Sequence, residues 1–180
     1  MSVTSKALIV AALSGLLLVG TYILLNISYN NSDKRFRNQL TAKEAARVAV
    51  FDETWKSVKQ IAEVTDKYAN DFKEIYPELM EGRYGNSRGG ALMSWVQESN
   101  PDLSTDMYKK LANVIEIKRA EFTNIQKQLL DIKREHDNLL DTFPGSHFLS
   151  GKDKVEVEVI SSSKTKAIID AGEENDISVF

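Results

Sequence analysis

The sequence predicts a mainly α-helical protein: an N-terminal transmembrane helix, then a long antiparallel helical hairpin or bundle, then a short β-containing tail. Three observations predict this. Residues 7–27, "ALIVAALSGLLLVGTYILLNI", carry no charge. Two later stretches space their apolar residues three and four apart, the period of an α-helix packed along one seam. The last thirty residues switch to a period of two in "KVEVEVI", the mark of a half-buried strand.

Residues 1–6 form a short N-terminus ahead of the span. As a helix rising about 1.5 Å per residue, residues 7–27 cover roughly the 30 Å hydrocarbon core of a bilayer. A cleaved signal peptide needs a short apolar region followed by a small-residue cleavage site. Here the run continues through Tyr22-Ile23-Leu24-Leu25 into Asn-rich sequence, so the segment reads as an uncleaved anchor. Lys6 precedes it, whereas Lys34, Arg35, Arg37, Lys43 and Arg47 follow it. That bias places the N-terminus outside and the body in the cytoplasm. Ala7, Ala11 and Gly15 share one face of the span, but small residues are common in membrane helices and mark no dimer by themselves.

Residues 28–149 read as a helical bundle. The first long helix is expected over about 34–76, its seam formed by Phe51, Thr54, Val58, Ile61, Thr65, Tyr68, Phe72 and Ile75. Thr41 with Glu44 suits a capping box that restarts the helix after the membrane, and Pro77 is expected to end or kink it. The second is expected over about 104–143, with Ser104 as N-cap and Asp106 favourably placed in the first turn. Its seam runs Tyr108, Leu111, Ile115, Lys118, Phe122, Ile125, Leu129, Ile132, His136, Leu139 and Phe143, and Pro144-Gly145 stops it. Each helix would be about 60 Å long. Between them a short helix is expected over about 91–98, with Leu92, Trp95 and Val96 covering the seam. In the tail, residues 150–180, strands are expected at about 155–160 and 176–180. A two-stranded sheet is marginal alone, so the tail should dock on the bundle or on a partner.

Composition narrows the chemistry. Beyond Lys6, the chain holds 22 basic and 26 acidic residues, a net charge of −4 on the body. A mildly acidic body without a basic stripe argues against nucleic acid. Cysteine is absent, which removes disulfides, thiolate nucleophiles and cysteine-ligated zinc. His136 and His147 are the only imidazoles, too few for a histidine-built zinc site. No cofactor, metal or small-molecule substrate is indicated.

The features together resemble the LemA-like membrane proteins, which carry one N-terminal membrane helix followed by a bundle of long helices. The resemblance covers about residues 7–149. It rests on Tyr29-Asn30 past the span, "FDETW" (Phe51 to Trp55), and "FPGSHFL" (Phe143 to Leu149). The chain departs from that pattern where the family shows aromatic–Asn pairs along the last long helix: those slots hold Leu129-Leu130 and His136-Asp137. With its Val/Glu tail, it resembles a divergent branch. The resemblance implies a small N-terminus outside and a helical body inside the cell, and it implies no reaction.

The candidate sites are few. "MEGRYGNSRGG", residues 80–90, lacks the lysine–hydroxyl pair and preceding strand of a phosphate-binding loop, and reads as a connector. Arg83, Tyr84 and Arg88 on it are candidate partner-binding residues, because loop tips carry contacts more often than helix shafts. Ser178, Val179 and Phe180 fit a carboxyl-terminal peptide read by strand addition. His136 is expected to be a seam residue with a local hydrogen bond, and Lys118 to snorkel or set register. Glu63, Asp66 and Asp131 belong to solvated faces, and no catalytic residue is named. The expected function is a non-enzymatic, single-pass scaffold contacting the lipid bilayer and a protein partner or further copies of itself. The alternatives are an envelope-bridging periplasmic coiled-coil stalk and an accessory subunit of a membrane hydrolase.

Overall fold

The computed structural model describes residues 3–81, 96, 98, 100–102 and 104–161 of the chain. They are mainly helical and contain no strand. Helix α1 spans Val3–Ala62, α2 Ala69–Glu81, α3 Thr105–Asp141 and the single-turn α4 Gly145–Phe148. A 3-10 turn at Asp66–Tyr68 precedes α2.

Helix α1 opens with the uncharged segment. Leu8, Leu16, Leu17 and Leu24 stand outward on all sides, none of them buried by the protein. A backbone in lipid must satisfy its own polar groups, and the few polar side chains here do the same. Ser14 Oγ donates to the Val10 carbonyl and Thr21 Oγ1 to that of Leu17, each at 2.9 Å. This is the one helix among the described residues long and apolar enough to cross a membrane.

No restart occurs at Thr41. The helix runs through it unbroken, and Thr41 Oγ1 donates to the Arg37 carbonyl at 3.1 Å instead of capping a new N-terminus. Nor does the first long helix reach residue 76. It ends at Ala62, where Glu63 takes a left-handed backbone with φ of 54°. That turn buries Ile61, Ala62 and Val64 together, which a straight seam with a three-four period cannot do. The carbonyl of Ala62, at the helix end, accepts from the Asn100 amide at 2.9 Å, and Lys59 pairs with Asp66 across the break at 2.6 Å. Pro77 lies inside α2, which continues to Glu81. Counted from residue 34, the body part of α1 is shorter than α3, not its match in length.

The second helix follows its expectation more closely. Ser104 Oγ accepts from the Met107 N–H at 3.3 Å, the predicted N-cap, and Asp106 lies in the first turn. Leu111, Ile115, Phe122, Ile125, Leu129 and His136 are buried as the seam requires. Phe143 is the exception: α3 ends at Asp141 and Phe143 is 84% exposed. Of the expected short helix, Val96 and Glu98 are helical and Val96 is fully buried. The rest lies outside the described residues.

The chain divides into two compact units. Unit 1 comprises 1–42 with 130–157, and unit 2 comprises 43–129 with 158–180, so α1 and α3 contribute a segment to each. Within unit 1, contacts step up α1 as they step down the second segment: Tyr22 meets Phe148, and Asp33 meets His136. Unit 2 has the larger apolar core, with Val58, Phe72, Met80, Leu111 and Leu129 almost wholly buried.

Residues 155–160 form no strand. The physical reason is that helix side chains take up the main-chain groups that a ladder would need. In unit 2, Arg47 donates to the Glu158 carbonyl at 2.6 Å, and the Gln126 amide bonds both the carbonyl and the N–H of Ile160. In unit 1, Arg37 Nη2 donates to the Asp153 carbonyl. The expected strand at 176–180 lies outside the described residues.

Candidate functional site

In unit 1, Asp33 and His136 are two polar side chains buried among apolar ones, at 2% and 0% exposure. Asp33 is the first charge after the apolar run on α1. His136 occupies a seam position of α3, 103 residues further along the chain. Nε2 of His136 lies 2.8 Å from Oδ1 of Asp33, and Arg37 Nε donates to the same oxygen at 2.9 Å. Lys152 Nζ stands 4.0 Å from the other carboxylate oxygen. The ring of Phe36 closes one side of the imidazole at 6.1 Å between centroids.

Burial raises the Asp33 carboxyl, but the hydrogen bonds from His136 and Arg37, with their charges, outweigh it and hold the group below the usual carboxylate range. The carboxylate is therefore ionised at neutral pH, an acceptor only, and Nε2 carries the shared proton. Nδ1 faces no partner among the described residues. An Asp–His pair supplies two of the three members of a nucleophile-activating triad, but chemistry also needs a nucleophile in reach and an opening for substrate. This pair is enclosed. Its geometry suits a buried clasp between two helices, with one charge neutralised by an adjacent arginine.

The expectation of a merely local hydrogen bond for His136 is corrected here: its partner is on α1, and Asp137 instead pairs with Lys133 at 2.6 Å. Sequence reasoning did not name Asp33. A signal was present, in that His136 interrupts an apolar seam and a buried imidazole needs a polar partner. The sequence offers no way to select Asp33 among 26 carboxylates, because that choice depends on register between distant segments.

Unit 2 holds an aromatic cluster built on "FDETW". The Phe51 and Tyr76 rings meet edge to face at 4.8 Å, Trp55 lies 5.1 Å from Phe72, and Phe122 closes on Tyr76 at 5.8 Å. Phe51 and Tyr76, with Arg47, Lys73, Glu158 and Ile160, also border a cavity of about 330 Å³. The Tyr76 hydroxyl is itself buried and makes no hydrogen bond among the described residues. Burial pushes the phenol far above its ordinary range, and the nearby Thr54 hydroxyl and Arg47 charge offset only part of this. The Thr54 hydroxyl donates to the Val50 carbonyl at 2.6 Å. Lys118 does reach out from the seam, pairing with Glu53 at 2.5 Å and Glu121 at 2.9 Å. Those carboxylates raise its ammonium above the ordinary lysine range, and Glu53 is lowered in return.

The candidate partner-binding residues Arg83, Tyr84, Arg88, Ser178, Val179 and Phe180 all lie outside the described residues. No group of three or more His, Cys, Asp or Glu arranged to hold a metal occurs among the described residues. No family model, no curated protein and no solved structure matches the chain.

Proposed function

We propose that the protein is a single-pass, membrane-anchored helical scaffold of LemA-like character, with its body in the cytoplasm and no reaction of its own. One observation carries the reading: no residue of the uncharged segment of α1 is buried by the protein, and the same helix continues without interruption into the protein's folded part. An anchor joined by a loose linker would only tether its cargo. A helix shared between span and body fixes the body's approach to the bilayer, which is what a scaffold needs. The opposed contact order of α1 and the second segment within unit 1 supports an antiparallel hairpin. The closed Asp33–His136 clasp supports a structural role for the most conspicuous polar pair. Partners on this reading are the lipid bilayer and a protein or further copies of the chain.

The absence of native cysteine makes a direct test available. Asp106→Cys places a thiol on an exposed first turn of α3. Intact cells are treated with a thiol reagent that cannot cross the inner membrane. Protection until lysis is the expected result, together with retention of the chain in membranes washed with alkaline carbonate. Labelling of intact cells would reverse the orientation and favour a periplasmic stalk. Release by carbonate would overturn the anchor.

A further inference from the structure

Phe143 is the most exposed large apolar residue described, more so than any leucine of the span. It lies at the corner between α3 and α4, and that corner does not face open water at a random place. The ring of Phe148, five residues on, stacks on Tyr29 at 5.3 Å with planes 9° apart, and meets Tyr22 at 5.2 Å. His147 meets Tyr22 edge on at 6.2 Å. Tyr22 lies within the uncharged run, about 8 Å of helix rise before its end at Ile27, and Tyr29 about 3 Å beyond it. The corner is thus held at the level where hydrocarbon gives way to headgroups, on the side from which α1 emerges.

Aromatic rings concentrate at that level because they are apolar in body yet tolerate the polar interface. The charges near the corner are paired: Lys154 with Asp141 at 2.7 Å, while Lys152 approaches Asp33, eleven residues further along α1 than Tyr22. Nothing in the apolar seam of α3 requires Phe143 to stand outside it. An 84% exposed phenylalanine costs solubility in water and nothing in the membrane interface.

We propose that the corner at residues 142–149 is a second membrane contact, in which Phe143 inserts into the headgroup–acyl boundary of a phospholipid bilayer beside the exit of α1. The proposal rests on the reading of α1 as a span. With that contact the chain touches its bilayer at two points, and rotation of unit 1 about α1 is restrained.

The test uses tryptophan fluorescence of the full chain in vesicles of phosphatidylcholine brominated on the acyl chain either near the headgroup, to report on the interface, or near the chain end, to report on the bilayer middle. Trp55→Phe and Trp95→Phe remove the native signal, and a single tryptophan is returned as Phe143→Trp or, in a second protein, as Leu16→Trp. Both positions are exposed, so neither exchange disturbs a core. The expected result is a blue-shifted emission and bromine quenching at both, against unbrominated controls. Quenching at Leu16→Trp alone would overturn the second contact and leave the anchor intact. Quenching at neither would overturn the anchor and the inference with it. Quenching at Phe143→Trp alone would replace the span by surface attachment and overturn the proposal as stated.

Discussion

Asp33 and His136 show how one residue pair can hold more of a structure than its size suggests. Truncating His136 to alanine leaves a buried carboxylate with Arg37 as its hydrogen-bond donor and Lys152 at 4.0 Å, and opens a cavity. The cost expected is about 3 kcal/mol, read as a lowered Tm in detergent or nanodiscs. The same pair sets an acid limit. Because the folded Asp33 carboxyl is depressed below its unfolded value, its contribution is complete above about pH 4 and is lost as pH falls through the lower folded value. An Asp33→Asn protein should be less stable at neutral pH and lose less between pH 4 and pH 2, measured by thermal melts across that range. A parallel acid loss in both proteins would remove Asp33 as the responsible group.

At the scale of elements, Gly145 marks where a chain turn depends on a missing side chain. A Cβ built there would fall 2.0 Å from the Leu139 carbonyl oxygen, a backbone atom that cannot swing aside. Gly145→Ala should therefore destabilise by about 1–3 kcal/mol, whereas the exposed, open Gly15 should accept alanine at no measurable cost to folding. In unit 2, Phe72→Ala should cost about 3–5 kcal/mol, as expected of a buried aromatic. Lys118→Met should cost little, since its carboxylate partners stay exposed to water. Chemical denaturation of the four variants would rank them. What the sequence made legible follows the same division. The α3 seam and its Ser104 cap were readable because they depend on local period and local hydrogen bonding. The break after Ala62 was not, because no glycine or proline marks it: it is held by Asn100, 38 residues away. Pro77 carried the opposite error, a strong local signal accommodated inside α2.

For the whole molecule, on the proposed reading of α1 as a span, the apolar run decides where everything else can act. Leu17→Arg places a charge in the middle of the uncharged run, at a cost of about 2.5–3.5 kcal/mol for membrane insertion. It should shift the chain from the carbonate-resistant to the soluble fraction, with both folded units unaltered in far-UV circular dichroism. The long apolar N-terminal helix was legible from composition, whereas the division into two units was not. That division depends on which parts of α1 and α3 meet, and a seam that is continuous in sequence gives no sign of it. The strand expected at 155–160 failed for a related reason: its alternation was real, but Arg47 and Gln126 were waiting for its main chain.

The grip of Arg47 and Gln126 has a consequence for how this stretch can change over time. Both side chains hold peptide groups, not side chains, so the attachment is indifferent to which amino acids the stretch contains. Residues 158 and 159 can drift in composition while their position on unit 2 is kept. One exchange is barred. Proline at 160 has no N–H to give to Gln126, and Ile160→Pro should release the stretch where Ile160→Thr would not.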